Sequence, residues 1–139
     1  MIKKLTINDV DYIEQIFNLE KDIFKNSAFS KESTGNLVKA DNSFIYVYLI
    51  DEKVCGYLMV LDSIDVYEIL AIATVEEYRN KGIAQELLDK IKTKDIFLEV
   101  RKSNIPAISL YKKHGYIQEK FLKDEYGEGI HRYMMRKKL

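Results

Sequence analysis

Hydrophobic positions along the chain change period several times, and each change marks a predicted element. Ile2 to Ile7 alternates weakly, as an edge strand does. From Asn8 the spacing turns helical, with Val10, Ile13, Ile16, Phe17 and Phe24 on one side and Asn8 or Asp9 available as a cap. Residues 26–40 are polar; Ser30 and Ser33 offer capping oxygens for a second short helix starting at Ser30. That segment carries no chemical signature, but its position makes it a candidate lid. Ser43 to Ile50 is rich in β-branched and aromatic residues and predicts a strand. The polar break Asp51-Glu52-Lys53 turns it into a hairpin with a second strand, Val54 to Leu61. A third run, Val66 to Val75, is apolar enough for a central strand. Beyond it, Ile83, Leu87, Leu88 and Ile91 fall on one helical stripe. Asp95 to Val100 predicts another strand, and Ile105 to His114 a short helix ended by Gly115. Tyr116 to Leu122 and Gly129 to Met135 are expected to be closing strands.

The order β-α-α-β-β-β-α-β-α-β-β predicts an α/β (α+β) fold, a mixed sheet with helices on both faces. With no internal repeat, low-complexity tract or Pro/Gly linker, the 139 residues are expected to form a single domain spanning 1–139.

Composition narrows the function by exclusion. Apolar residues make up 47%, enough for a core. Lys+Arg and Asp+Glu each number 22, so no global field draws in nucleic acid or an anionic membrane. The basic cluster Arg132, Arg136, Lys137 and Lys138 reads first as a solvated strand end. A single cysteine, Cys55, excludes an internal disulfide and a multi-thiolate metal site. His114 and His131 lie far apart with no second ligand at metal spacing, so no metal is expected. Met1-Ile2-Lys3-Lys4 leads into polar sequence and resembles no secretory signal. No stretch reaches the roughly 20 apolar residues of a membrane span. A cytoplasmic protein is expected.

The segment Arg79-Asn80-Lys81-Gly82-Ile83-Ala84 carries the chemistry. A strand, a short loop and a helix whose first turn holds Gly82 make a recipe for anion binding. The first N–H groups of a helix lack internal partners and sit at the positive end of its dipole. Gly82 lets a phosphate approach without meeting a Cβ, and Arg79 and Lys81 add positive charge. Neither the Gly-Lys-Ser/Thr ending of a Walker loop nor the G-x-G-x-x-G dinucleotide fingerprint is present. A Gly82 that merely starts a helix on a surface turn is the alternative.

The pattern Arg79-x-x-Gly82-x-Ala84 after a strand resembles the coenzyme A motif of the GNAT superfamily of N-acetyltransferases. The block from Phe97 to Tyr116, with LEVR, SN, A, LY and GY in register, resembles that superfamily's second motif. It is most similar to bacterial ribosomal-protein-alanine N-acetyltransferases. The resemblance spans about Glu68 to Tyr116 with specific motifs, and the remainder through element order. It implies the family's fold, a mixed, mostly antiparallel sheet of about seven strands, and acetyl-CoA as co-substrate.

The resemblance also implies residue roles. Glu99 matches the general base. A carboxylate buried in so apolar a strand needs a partner, whereas alternation alone permits a solvent-facing residue. Tyr111 matches the acid that protonates the departing thiolate; a core aromatic is the alternative. Ile72, Ala73 and Thr74 match the strand whose backbone bonds the pantetheine arm, where an N–H can also polarise the acetyl carbonyl. Arg79, Asn80, Lys81, Gly82, Ile83, Ala84 and Gln85 match the pyrophosphate loop. Asn104 matches a coenzyme contact and can also cap its helix, with Pro106 tolerated in the first turn. The chain departs from the family at Thr74, commonly aliphatic, and at Glu76, commonly proline. It departs more in Phe121 to Arg132, where only Tyr126 stands in a short Gly127-Glu128-Gly129 turn in place of paired tyrosines on a longer, peptide-docking loop.

The expected activity is therefore acetyl transfer from acetyl-CoA to a primary amine, foremost the N-terminal α-amine of a ribosomal or other protein. An α-amine has a reference pKa of ~8 against ~10.4 for lysine, so one carboxylate frees it more readily. Transfer to a small amine or a lysine side chain, and a non-catalytic acetyl-CoA sensor, are the alternatives. A monomer or homodimer is expected.

Overall fold

A computed structural model of the chain describes residues 1–124 and 129–139. The opening alternation gives a short edge strand, β1 (Ile2–Lys4), which stops before Ile7 because Thr6 to Asp9 closes a turn. There the Asp9 carboxylate accepts from the Thr6 N–H at 2.8 Å and the Thr6 hydroxyl at 3.1 Å. Asp9 occupies the N-cap position of α1 (Val10–Phe24), yet its side chain caps no helix amide because those bonds already hold it. Val10, expected on the buried stripe, is 65% exposed in the first turn, and the buried side is anchored on Ile16. Ser30 does cap α2 (Lys31–Lys39), accepting from the Ser33 N–H at 3.0 Å.

The hairpin and the central strand form as expected: β2 (Ser43–Ile50), β3 (Lys53–Asp62) and β4 (Val66–Thr74). The stripe from Ile83 to Ile91 is not one helix. α3 (Ile83–Leu88) ends after a short span, and Lys90 and Ile91 reach back to the Leu87 and Leu88 carbonyls at 3.0 and 3.1 Å. This tightening keeps Ile91 buried although it lies outside the helix. Then come β5 (Asp95–Arg101), α4 (Ile105–Lys113), β6 (Ile117–Leu122) and β7 (Arg132–Lys137). Tyr116 precedes β6 as a buried residue, and β7 starts at Arg132, after Gly129. Tyr126 and the turn expected around it lie outside the described residues.

One seven-stranded sheet runs in the order β1-β2-β3-β4-β5-β7-β6, antiparallel except where β4 meets β5. Each face carries its own core. On one, Leu58, Val60, Ile69, Leu98 and Val100 pack with α3 and α4 residues such as Ile83, Leu87 and Ile108. On the other, Ile45, Val47, Tyr57 and Met59 pack with Ile16 of α1, Leu37 of α2 and Phe29 between those helices. Among the described residues, no helix is long and apolar enough to cross a membrane.

Candidate functional site

The sheet splits at β4 and β5, the one parallel pair among the described residues. β4 and β5 pair only between Val66–Ile69 and Asp95–Leu98, and both strands then continue unpaired to each other, to Thr74 and to Arg101. On its other side β4 stays bonded to β3 as far as Thr74. The β3–β4 register slips between Met59 and Val60, so Leu70 has no partner and the strand kinks as the fork opens. Along the fork, the main-chain groups of Leu70 to Thr74 that point away from β3 have no strand to bond among the described residues. Such an edge takes an extended, amide-bearing ligand as a sheet takes another strand. Ile72 and Ala73 pack their side chains into opposite cores, so this stretch can offer the fork little besides backbone.

At the tip of β4 lies the phosphate-type loop. A 3-10 turn at Glu76–Tyr78 leads to Asn80, with φ at 64°, and Gly82, with φ at 82°. Glycine adopts that left-handed conformation without the penalty a Cβ brings, and a Cβ built on Gly82 would meet nothing within 4 Å. The space beside it is therefore open to a ligand. Gly82 caps α3 with no side chain on the helix amides, and the first internal bond runs from the Glu86 N–H to the Gly82 carbonyl at 3.0 Å. The amides of Ile83, Ala84 and Gln85 accordingly point outward. Two basic residues flank the glycine. Arg79 Nε donates to the Thr74 carbonyl at 3.1 Å, folding the loop onto the strand end, and the Lys81 ammonium lies 5.5 Å from the Tyr78 ring centre. The Gln85 side-chain amide is occupied by Asp89 at 2.7 Å, which leaves its backbone N–H as the group it offers.

Gly56, which sequence reasoning missed, sets where this loop sits. A Cβ there would lie 2.8 Å from Ile83 Cγ2 and 3.1 Å from the Ala73 carbonyl oxygen. Only glycine lets the first turn of α3 press this closely on β3 beside β4.

Opposite the free edge stands β5. Ile96, Leu98 and Val100 are buried in the α3–α4 core, so Phe97, Glu99 and Arg101 project from the other face. Glu99 is exposed, not buried within the apolar strand. It has company: Glu68 of β4 is in register with Phe97 and lies on the same face. Glu68 is half-buried, and its carboxyl is pushed above the usual range, first by desolvation and then by the charge of Glu99. Nothing in the local sequence YEIL marks Glu68, because only the parallel register brings it beside the other carboxylate.

Tyr111 sits on the opposite face. Only 7% exposed, it extends from α4 into the α3–α4 core, its ring centre 5.4 Å from that of Tyr116. Burial pushes its phenol up to about 12. The Tyr116 hydroxyl is buried without a hydrogen-bond partner among the described residues, and burial, with Tyr111 next, raises it as well. Asn104 caps α4 by accepting from the Ala107 N–H at 3.3 Å, with Pro106 in the first turn. A cavity of about 390 Å³ opens beside the end of β5, lined by Arg101, Lys102, Ser103, Gly129, Ile130 and His131. The arrangement thus offers outward amides for an anion, a free strand edge, and a carboxylate and a protonated phenol on opposite sides of one fork.

Residues 11–116 match the Acetyltransferase (GNAT) family. An N-alpha-acetyltransferase of Saccharolobus solfataricus is 34% identical over 114 residues, covering 68% of each chain. Among solved structures, a ribosomal-protein-alanine N-acetyltransferase from Escherichia coli superposes with a TM-score of 0.79 at 19% identity, over 99% of this chain and 94% of that one. NAA60 of Arabidopsis thaliana in complex with acetyl-CoA gives a TM-score of 0.80 at 21% identity, over 100% of this chain and 99% of that one. At these identities the two structures attest the fold.

Proposed function

The chain belongs to the GNAT family of acetyltransferases, and on that footing we propose that it carries the acetyl group of acetyl-CoA to the α-amine of a protein N-terminus. The observation that carries this reading is the fork between β4 and β5, where an unpaired strand edge faces the strand that bears Glu99. The pantetheine arm bonds the free edge at Ile72, Ala73 and Thr74, and the pyrophosphate rests on the amides of Gly82, Ile83, Ala84 and Gln85. Asn80 bends the loop, Arg79 and Lys81 shape it from behind, and Asn104 lines the coenzyme side of α4. Residues 1–139 act as one transferase domain, since one sheet runs from β1 to β7.

In this reading Glu99, directly or through a water, takes a proton from the incoming ammonium. The freed nitrogen attacks the thioester carbonyl carbon, and a main-chain N–H of the β4 edge stabilises the oxyanion. Collapse re-forms the carbonyl and breaks the C–S bond, Tyr111 protonates the leaving thiolate, and the second proton shed by the nitrogen as it becomes an amide returns through solvent to restore the phenol. A phenol held at about 12 stays protonated at neutral pH and so keeps a proton to give.

Incubation with acetyl-CoA and a panel of acceptors, followed by free thiol release, tests the acceptor class. Peptides with a free N-terminus, those of ribosomal proteins first, should turn over faster than N-blocked lysine peptides and small amines. Turnover confined to lysine side chains or small amines would remove the α-amine assignment while leaving the transfer chemistry intact.

A further inference from the structure

The basic cluster in the last strand divides between the two faces of the sheet. Arg136 donates to the Glu119 carboxylate at 2.9 Å, lies 3.7 Å from Asp95 and sits over the Phe97 ring. Lys137 turns to the opposite face, that of Met135, and its ammonium lies 5.9 Å from the Tyr116 ring centre. There it borders a cavity of about 320 Å³ between the C-terminal ends of α3 and α4 and the start of β5. Leu88, Ile91, Ile96 and Tyr116, all buried, give this cavity an apolar side. The Tyr116 hydroxyl is itself buried, so its ring presents carbon there. Lys92, Lys94, Lys137, Lys138 and His114 give it a basic side, against the one acidic side chain that lines it, Asp89. Two of these lysines already have partners. Lys94 bonds Asp62 at 2.5 Å and the Ser63 carbonyl at 2.7 Å, and Lys92 lies 3.5 Å from Asp89. Asp89 also accepts the Gln85 side-chain amide. Lys137 and Lys138 have no carboxylate partner among the described residues. The pKa of His114 is lowered, first by burial and then by the charges of Lys113 and Lys137, with Asp89 opposing. The cavity is also remote from the catalytic end of the fork. Ile96 precedes Arg101 by roughly 16 Å of strand, at a level where β4 and β5 are still paired.

We propose that this cavity is a second binding site, for a small amphipathic anion. Lys137 and Lys138 hold its carboxylate or phosphate head, and Leu88, Ile91, Ile96 and Tyr116 take a compact apolar body. A cation meets the wrong charge at the mouth, and a wholly polar anion leaves the apolar side in contact with water. The volume lies at the small end of ligand pockets and suits a single ring system or a medium-length acyl chain. Gln85 and Asp89 form the lip nearest the glycine loop, so an occupant touches α3 without entering the fork. The site stands apart from the acetyl-transfer reading and does not depend on the identity of the acceptor.

Amide proton–nitrogen correlation spectra of the full chain test this with octanoate, octylammonium and inorganic phosphate, each added with and without saturating coenzyme A. Octanoate should shift the amides of Leu88, Ile91, Ile96, His114 and Lys137 and leave those of Ala73 and Glu99 in place. With coenzyme A present, octylammonium and phosphate at the same concentration should shift neither set. Each CH2 added between butyrate and octanoate should tighten Kd about fourfold. Lys137→Glu combined with Lys138→Glu should weaken octanoate about tenfold. If that double variant fails to fold, Lys138→Glu, at an exposed position, should still weaken it about threefold. Equal shifts from octylammonium would reduce the cavity to a greasy surface, and equal shifts from phosphate to a plain basic patch; either overturns the proposal. So does octanoate binding of parental strength in the lysine variants. Octanoate shifts that vanish on adding coenzyme A would make the cavity part of the cofactor site, and the second site would be abandoned.

Discussion

On the α3–α4 face the molecule presents main-chain groups in set conformations, whereas on the α1–α2 face it relies on side chains drawn from distant parts of the chain. The first has the left-handed Gly82, the outward amides of α3 and the unpaired edge of β4. The second has Glu68 and Glu99 from neighbouring strands, and a connecting segment tied down by Glu20 and Arg101. On the proposed reading, the difference follows from what each side must recognise. A cofactor common to a whole family can be held by backbone, which varies little with side-chain identity. An acceptor that differs between members has to be met by side chains, and these change without disturbing the fold.

Exchanging one proton-handling group on each face gives the largest effects and tests that division. Glu99→Gln keeps the shape and removes the proposed base, so kcat/KM should fall by roughly 10²- to 10⁴-fold with little change in KM for acetyl-CoA. Tyr111→Phe should lower kcat by about 10²-fold, the lower end for a general acid. Parent and variants are compared by thiol release at saturating acetyl-CoA. A loss in Tyr111→Phe matched by an equal rise in acetyl-CoA KM would make the tyrosine a packing residue. pH adds a second reading. Because burial holds the phenol up to about 12, the parent's kcat should show no fall from this group near the ordinary phenol value of ~10. The linkage sign agrees: a phenol whose folded pKa is raised favours the fold below ~10, and that support is lost as pH climbs through about 12. Tyr111→Phe should therefore resist alkaline unfolding better than the parent.

Gly56 tests the cofactor side without touching a reacting group. In Gly56→Ala the new methyl would lie 2.8 Å from Ile83 Cγ2 and 3.1 Å from a β4 carbonyl, so α3 must shift. Overpacking of this kind costs about 1–3 kcal/mol. Tm should fall, and KM for acetyl-CoA should rise while KM for the peptide stays near parental. A rise in peptide KM alone would break the assignment of this face to the cofactor.

How much of this could be read in the chain follows the same division. The hairpin at 43–61 and the Ser30 and Asn104 caps follow from local spacing, and all are present. The fork is not local. It arises because β4 and β5 pair for a short stretch and β4 then kinks at Leu70, which no periodicity records. Glu68 gains its meaning from register with a strand almost thirty positions later, and Glu20 from a tyrosine on another element. The charge of Arg79 and Lys81 is legible in the chain, whereas the Arg79 bond to the Thr74 carbonyl and the packing of Lys81 on Tyr78 depend on how the loop folds.

The smallest effect is the most informative about the acceptor face. Glu68 is partly desolvated and shares its face with Glu99, and its carboxyl lies above the usual range for those two causes in that order. An acidic group whose folded pKa exceeds its unfolded value favours folding at low pH. That contribution is lost as pH rises through the folded value, and the ionised group is then a burden. Glu68→Gln should thus raise Tm at pH 7 to 8, with the gain gone or reversed below the ordinary glutamate value of ~4.3. On the proposed reading its charge also helps to draw a cationic amine to the fork. Removing it should raise KM for a peptide α-amine by roughly threefold at low ionic strength, and the difference should shrink as salt screens it. The KM for acetyl-CoA, assigned to the other face, should not respond to either variable. If instead acetyl-CoA KM moves with salt in Glu68→Gln and peptide KM does not, the carboxylates face the cofactor, and the two sides of the fork have been assigned the wrong way round.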